Sequence, residues 1–291
     1  MFQKDLLQGK RILVTGGGTG LGKSMSHRFL ELGAEVAICG RRKAVLEETA
    51  AELMQQTGGK VTTHPVDIRV AQAVDDMVEE IWRGGPLDAL VNNAAGNFIS
   101  RTEDLSPRGF DAITNIVLHG TFYVTQACGK RWLDGGHKGN VISIITTWVR
   151  TGSPYVVPSA MAKSGVAAMT KSLAVEWGPR GIRLNAIAPG PFPTEGAWAR
   201  LSPDPKSTER DMDTIPMRRV GEHSELANLA TFLLADQCSY ISGEIIAIDG
   251  AQWLNNAGGF SRLQKLGDED WERIRSAIKQ TNEKDKSKRS V

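Results

Sequence analysis

Three glycines near the N-terminus have a spacing that suits the binding of a pyrophosphate. Gly16, Gly20 and Gly22 lie in the stretch TGGGTGLG, which follows an apolar run and opens a helical pattern. Glycines let the backbone turn sharply and approach a phosphate, and the N-terminus of a helix attracts negative charge. Because the stretch stands between a strand and a helix, it predicts a dinucleotide-binding turn that includes Thr19 and Leu21.

A second set of reactive side chains surrounds the stretch TGSPYVVPSAMAK. Ser159 and Lys163 are four residues apart and therefore share one helix face. Thr146 and Trp148 stand at the end of the preceding apolar run, and Tyr155 lies in the adjoining loop. Hydroxyl, indole and ammonium groups all donate hydrogen bonds, so these residues are candidates for stabilising a reacting oxygen.

The end of the second predicted strand, AICGRR, carries two arginines and no acid. An acid here would hold the ribose 2′-hydroxyl of NAD, whereas an arginine can hold the 2′-phosphate of NADP. Arg41 therefore favours NADP(H). A solvated side chain is the alternative for either arginine, and more so for Arg42.

Apolar β-type runs alternate with helical patterns from residue 11 to about 250. Several runs are apolar on successive residues, as in strands that helices cover on both faces. This predicts a single doubly wound α/β Rossmann-type domain over residues 1–255, with a seven-stranded parallel sheet. Segment 192–216 interrupts the alternation and predicts a lid, and 256–291 predicts an extension with one helix and a disordered basic tail. The expected helices are 20–32, 42–56, 70–83, 107–132, 157–178 and 223–235.

The overall composition is that of an ordinary globular protein. Of the 291 residues 41% are hydrophobic and 23% charged, and the net charge of +2 gives no reason to expect nucleic-acid binding. The five histidines lack the spacing of metal ligands, and no apolar stretch is long enough for a membrane span. Cys39, Cys128 and Cys238 are far apart and predict buried thiols in a reducing compartment. Without a recognisable leader, the sequence predicts a cytoplasmic protein.

The chain resembles the short-chain dehydrogenase/reductase family over residues 8–255. The matching motifs are TGGGTGLG, VDIR, NNAAG and PGPFPTEG. The resemblance implies that Asp67 and Ile68 flank the adenine, and that Lys163 holds the nicotinamide ribose. It further implies that the cofactor lies along a set of loop residues, namely Asn92, Asn93, Ala94, Ala95 and Gly96 after the fourth strand and Pro189, Gly190 and Phe192 after the sixth.

Three positions depart from the family pattern. Thr146 stands where the family has its catalytic serine, Ser159 where it has its tyrosine, and Val117 where it has an asparagine. The Ser159 oxygen ends roughly 4 Å short of the reach of a tyrosine hydroxyl. The proton relay that reduces ketones therefore lacks two of its parts.

Nearly the whole chain is similar to the NADPH-dependent 2,4-dienoyl-CoA reductases of this family, through NNAAGNF, SPYVVPSAMAKSGV, KSLAVEWG and APGPFPTEGAWARL. That similarity implies that Asn97 and Phe98 orient an acyl-CoA thioester. It also assigns a set of polar and basic contacts to CoA, namely Arg41, Arg69, Arg200 and Ser106.

Trp148 stands where these reductases have their catalytic tyrosine. It is interpreted either as a hydrogen-bond donor or as an apolar wall, and Tyr155 either as the tyrosine's substitute or as a packing residue. Conjugate reduction of a thioester collects negative charge on the thioester oxygen, which needs aimed donors rather than a strong acid. Asn97, Trp148 and Lys163 could supply them.

Three hypotheses follow for the function. The first is an NADPH-dependent enoyl- or 2,4-dienoyl-CoA reductase of fatty-acid metabolism. The second is a carbonyl or steroid-type reductase that uses Tyr155 or Thr146, and the third is an NADP(H)-binding protein without turnover. The long, apolar fourth and fifth helices, together with the family resemblance, predict a homotetramer.

Overall fold

The apolar runs of the sequence form a parallel sheet in the computed structural model, which describes residues 2–194, 196, 212–255 and 261–289. The strands are β1 (Arg11–Thr15), β2 (Glu35–Gly40), β3 (Val61–Pro65), β4 (Ala89–Asn92), β5 (Gly139–Ile144), β6 (Ile182–Pro189) and β7 (Ile245–Ile248). Within these residues the sheet has the order β3–β2–β1–β4–β5–β6–β7, and every neighbouring pair is parallel. The predicted seven-stranded doubly wound α/β fold is confirmed.

Most of the described helices lie between the strands, and the last two follow β7. They are α1 (Gly20–Glu31), α2 (Lys43–Thr57), α3 (Ala71–Arg83), α4 (Pro107–Thr114), α5 (Thr121–Gly135), α6 (Trp148–Thr151), α7 (Val157–Trp177), α8 (His223–Leu234), α9 (Gln252–Asn255) and α10 (Asp268–Arg289). Short 3₁₀ turns occupy Gly178–Arg180, Asp236–Cys238 and Ser261–Lys265. The helix expected over 107–132 is divided, because a π-helix at Asn115–Gly120 joins α4 to α5.

Helices cover both faces of the sheet. In β1, Ile12 and Val14 pack on one side with Phe29 of α1, whereas Leu13 packs on the other side with Val78 of α3. Side chains alternate between the two faces of a strand, so both faces of β1 are buried. This is why the strands read as continuous apolar runs.

The chain divides into two units, Met1–Trp253 and Leu254–Val291. In the second unit α10 continues to Arg289 through the charged stretch that the sequence predicts to be a disordered tail. That stretch has no glycine or proline after Gly267, and its glutamates and lysines favour a helix. Trp271 and Ile278 of this helix are 38% and 55% exposed.

The three cysteines are free and buried, as expected. Burial raises the pKa of the Cys39 and Cys128 thiols to about 12, so both stay protonated at neutral pH. Across the described residues no helix is long and apolar enough to cross a membrane. Among the same residues, no group of three or more His, Cys, Asp or Glu side chains could hold a metal ion.

Candidate active site

The candidate site lies at the carboxyl ends of β1 and β4. β1 pairs with β2 on one side and with β4 on the other, so the strand order reverses between β1 and β4. Open α/β sheets bind ligands at such a switch point. The glycine-rich turn follows β1, and the loop that begins at Asn93 follows β4.

The glycine-rich turn fits the pyrophosphate of a dinucleotide. Gly16 has a φ of +65°, in the left-handed region that glycine adopts without strain. A Cβ atom on Gly22 would lie 2.4 Å from the Gly16 carbonyl oxygen, so α1 approaches the turn as only glycine permits. The first turn of α1 contains no acidic residue, which leaves its partial positive charge available to an anion.

Asn93 and Thr15 hold this turn in place. The backbone amides of Asn93 and Ala94 both donate to the Thr15 hydroxyl at 3.0 Å, and the Asn93 side chain donates to the carbonyls of Thr15 and Gly16. The sequence did not single out Thr15, and Asn93 supports the turn through these bonds. Of the other predicted cofactor residues, Thr19 is the N-cap of α1, Leu21 packs half-buried against the core, Ala95 is exposed and Gly96 is half-buried.

Charged side chains gather after β2 and β3. The Arg69 guanidinium donates to both carboxylate oxygens of Asp67, the shortest distance being 2.5 Å. These bonds, with a smaller contribution from the Arg41 charge, hold the Asp67 pKa below its usual range. Arg41 is exposed and forms no ion pair within the described residues, so its guanidinium is available to a phosphate. Arg69, predicted to contact CoA, is exposed and paired with Asp67, and its contact with CoA stays a prediction.

Ile68 lies in the core. It is 6% exposed, and a Cβ on Gly120 would lie 2.7 Å from its Cδ1 atom. The predicted contact with adenine therefore cannot use most of this side chain. The absent side chain of Gly120 leaves room for Ile68 against the π-helix, and the contact of Ile68 with adenine stays a prediction.

Lys163 lies buried in α7, and its ammonium donates to the carbonyl of Ile144 at the end of β5. Burial lowers its pKa to about 8. Ser159, one turn earlier, is also buried, and its hydroxyl has no hydrogen-bond partner in the described part of the chain. The Thr146 hydroxyl, just beyond β5, lies 3.5 Å from the amide nitrogen of Trp148.

The side-chain amide of Asn97 has a defined orientation. Its oxygen accepts a 2.9 Å hydrogen bond from the backbone N–H of Phe98, a group that can only donate. The NH2 end of Asn97 is thus left as a donor, without a partner among the described residues. Phe98 packs with Val117 of the π-helix and Ala162 of α7, which places this loop beside the residue that precedes Lys163.

Trp148 begins the one-turn helix α6 and is half-buried. Its indole N–H has no hydrogen-bond partner in the described ranges. α6 contains no buried residue, and it is anchored by Arg150, which donates to the Ile245 carbonyl at 2.7 Å and lies 4.6 Å from the Trp253 ring centre. Sequence reasoning missed Arg150, because its partners are about a hundred residues away.

Tyr155 is 59% exposed and has a φ of +63°, which is uncommon for a residue with a side chain. Its carbonyl accepts the Ser100 amide at 2.9 Å, so the main chain of Tyr155 fastens the loop that carries Asn97. Ser106, predicted to contact CoA, is the N-cap of α4 and accepts the Gly109 amide at 3.1 Å.

The segment after β6 carries the remaining predicted residues. Pro189 ends β6, Gly190 donates its amide to the Ile248 carbonyl at 3.0 Å, and Phe192 is buried. Arg200 and most of the predicted lid over 192–216 lie outside the described residues.

Comparisons with known proteins agree with this fold. The family model described as Enoyl-(Acyl carrier protein) reductase matches residues 16–251. A protein from Bacillus subtilis named "Probable 2,4-dienoyl-CoA reductase [(2E)-enoyl-CoA-producing]" is 44% identical over 86% of this chain and 98% of its own. The solved structure of a short chain dehydrogenase from Bacillus anthracis is 44% identical, covers 85% of this chain and 97% of its own, and has a TM-score of 0.79. A solved structure from Agrobacterium tumefaciens with bound NADP is 32% identical, covers 87% of this chain and 100% of its own, and has a TM-score of 0.79.

Proposed function

The chain belongs to the short-chain dehydrogenase/reductase family of oxidoreductases, and from this premise we propose that it reduces an enoyl- or 2,4-dienoyl-CoA thioester with NADPH. The similarity to a 2,4-dienoyl-CoA reductase over most of the chain supports this substrate class. Fatty-acid metabolism is the corresponding biological setting.

The observation that carries the proposal is the orientation of Asn97. Its oxygen is occupied by the Phe98 amide, so its NH2 group is presented as a fixed hydrogen-bond donor. Conjugate reduction needs such a donor at the thioester oxygen, where negative charge collects in the transition state. A donor that is already oriented needs no reorganisation when the charge develops.

Trp148 and Lys163 supply two further groups. The Trp148 indole N–H can donate to the same oxygen but cannot give up its proton at ordinary pH. Lys163 is an ammonium at neutral pH, since its lowered pKa is still about 8, and in the proposal it holds the nicotinamide ribose. The reduced nicotinamide, when bound, supplies hydride to the distant carbon of the double bond. The proton that completes the reduction comes from water and is added to carbon.

None of the residues proposed to contact the substrate oxygen is a strong acid. This set of residues suits the reduction of a thioester better than the reduction of a ketone. A ketone becomes an alkoxide that must receive a proton at oxygen, which calls for a proton donor beside the carbonyl. Ser159 is buried with a short side chain, and Val117 offers no polar group. A thioester enolate needs hydrogen bonds at its oxygen instead.

The preference for NADPH rests on Arg41. No acid stands at the end of β2 to hold a ribose 2′-hydroxyl, and Arg41 is free of ion pairs within the described residues. A 2′-phosphate would receive charge-assisted hydrogen bonds from this guanidinium.

The decisive experiment measures NADPH oxidation with trans-2-enoyl-CoA, 2,4-dienoyl-CoA and free ketones side by side. Asn97→Ala should lower turnover of the accepted thioester by roughly 10²–10³-fold, the usual loss for one oxyanion donor. Thr102→Ala, in the same loop and exposed, is the matched control and should be neutral. Turnover of ketones alone, or a neutral Asn97→Ala variant, would overturn the proposal.

Two alternatives correspond to other outcomes of this panel. A ketone reductase would use Tyr155 or Thr146, and the exposed, left-handed Tyr155 is the feature that favours it. A binding protein without turnover would bind NADPH tightly and oxidise it with none of the substrates.

We further propose a cytoplasmic location. Free, buried cysteines suit a reducing compartment. Cell fractionation with a marker for each compartment tests this assignment, and enrichment in an organelle would contradict it.

A further inference from the structure

His223 connects two parts of the candidate cofactor site that lie far apart in the sequence. It is the first residue of α8, and its Nε2 atom lies 2.7 Å from the Pro193 carbonyl oxygen. Its Nδ1 atom lies 2.8 Å from the Ser24 hydroxyl oxygen, in the second turn of α1. That hydroxyl also lies 3.1 Å from the carbonyl oxygen of Gly20, where α1 begins.

The hydrogen-bond roles in this chain follow from its chemistry. The Pro193 carbonyl can only accept, so Nε2 of His223 carries a proton. In the neutral ring Nδ1 is then an acceptor, and the Ser24 hydroxyl donates to it. Both ring nitrogens are therefore engaged, one by the segment after β6 and one by the helix that follows the glycine-rich turn.

These two segments meet at the position where a dinucleotide would bind. A Cβ on Gly20 would lie 3.1 Å from Cγ2 of Thr194, the residue after Pro193. The segment Pro189–Thr194 thus lies directly against the start of α1. A shift of this segment would change the width of the cofactor cleft.

The start of α8 does not need an imidazole for its own stability. Glu222 and Glu225 form a capping box, in which each side chain accepts a backbone N–H of the other. The first position of a helix tolerates proline well. The two side-chain bonds of His223 therefore serve the connection between segments.

We propose that His223 and Ser24 form a clamp, made of these two side chains and the Pro193 carbonyl, that fixes the segment Pro189–Thr194 against α1 and thereby sets the affinity for the nicotinamide dinucleotide. His223 is a positioning residue, since it acts through Pro193 and Ser24. The inference rests on the proposed cofactor and adds two residues to its site.

The test measures NADPH dissociation constants of the full chain by fluorescence titration. His223→Pro removes both bonds at a position where proline suits the helix, and it should weaken NADPH binding about tenfold, as expected for one or two neutral hydrogen bonds. KM for NADPH should rise in parallel, while kcat at saturating cofactor stays within about twofold. His223→Gln retains a donor for Pro193 and should recover part of the affinity. Ser224→Ala, exposed beside His223, is the control and should change nothing.

Two results separate the clamp from the proposed function. If the unmodified protein binds NADPH and His223→Pro binds it equally well, the clamp is wrong and the proposed function stands. If the unmodified protein binds no nicotinamide dinucleotide, both are wrong. Ser24→Ala provides a second route should His223→Pro fail to fold. As a single substitution, Ser24→Ala should weaken NADPH binding. Added to His223→Gln, it should cause little further loss of NADPH affinity, because the two residues form one unit.

Discussion

Trp148 presents the indole N–H without a partner among the described residues, at the start of α6. If this group donates to the thioester oxygen, its loss raises the barrier of the chemical step and leaves the pocket wall nearly unchanged. Tyrosine at the same position restores a donor of similar size.

We predict that Trp148→Phe lowers kcat on the accepted thioester about tenfold or more, and that Trp148→Tyr preserves or raises it. Tyr155→Phe serves as the comparison and should be neutral, since Tyr155 contributes its main chain to the site. Steady-state kinetics of the three variants checks this. An unchanged rate in both phenylalanine variants would leave neither residue with a donor role.

Burial of the Lys163 ammonium, which the proposed cofactor site requires, lowers the free energy of unfolding. Its folded-state pKa of about 8 lies below the usual lysine value of 10.5 because burial disfavours the ammonium. We predict that Lys163→Met abolishes turnover and weakens NADPH binding but raises the free energy of unfolding at pH 7 by about 1–3 kcal/mol.

The pH dependence of this difference has a definite sign. Between about pH 8 and 10.5 the unfolded chain binds more protons at Lys163 than the folded one, so the wild-type protein gains stability from this group as pH rises. The excess free energy of unfolding of Lys163→Met over the wild-type protein should therefore shrink between pH 8 and 10.5, as measured by denaturant titrations. Lys171→Met, exposed on α7, is the control. A constant difference between pH 7 and 10 would contradict the shifted pKa.

Arg41 sets the cofactor preference in the proposed function. We predict that the unmodified protein binds NADPH more tightly than NADH, and that Arg41→Glu reverses the order, because an acid repels the 2′-phosphate and can hold the 2′-hydroxyl. Titration with both cofactors measures this, with Arg42→Glu as the neighbouring control. Equal affinities in the unmodified protein would count against the argument.

At the scale of elements, Arg150 is a long-range anchor for the position of α6. Arg150 donates to the Ile245 carbonyl and contacts Trp253. These contacts connect α6 to β7, the last strand of the sheet, and to α9. α6 has no fully buried residue, and Val149 packs only partly buried against the core, so the Arg150 contacts add substantially to its anchoring.

We predict that Arg150→Ala lowers kcat about tenfold by releasing Trp148, while NADPH affinity stays unchanged. Arg150→Lys keeps a cation and a donor and should be intermediate. Thr151→Ala, at the end of α6, is the control. A fall in NADPH affinity equal to the fall in kcat would indicate general disruption and contradict the specific role of α6.

Some elements could be predicted from the sequence and others could not. The apolar runs predicted the sheet because strands covered on both faces leave a continuous pattern. The π-helix could not be predicted, since its apolar spacing differs little from that of the α-helices beside it. The partnership of Thr15 with Asn93 and that of Arg69 with Asp67 were also missed. Such hydrogen bonds depend on the sheet register and on side-chain rotamers, which residue types alone do not specify.

At the scale of the whole molecule, α7 exposes several uncharged side chains, beside the charged Lys171 and Glu176. Met161, Ser164, Ala168 and Val175 are exposed on this helix, and Val175 is 80% exposed. Phe122 at the start of α5 is 43% exposed. Exposed helix faces normally carry charge, so these faces suit burial against further copies of the chain.

We predict a homotetramer that forms through α5 and α7. Val175→Glu should shift the sedimentation equilibrium at micromolar concentration toward smaller species, because it would bury a charge without a partner. Met54→Glu, which exchanges an exposed apolar residue of α2, should leave the assembly intact. A stable monomer of the unmodified protein would refute the prediction.

The bond between Thr15 and Asn93 has a consequence for synthesis on the ribosome. The two residues are separated by 78 positions, and β1 pairs with β4 on the side opposite β2. A nascent chain that has emerged only as far as Arg83 therefore has β1, β2 and β3 but an unpaired edge on β1 and an unsupported glycine-rich turn. Long-range parallel pairing forms slowly, and open strand edges invite aggregation. Chaperone protection of this edge is accordingly expected to matter between the emergence of β1 and that of β4.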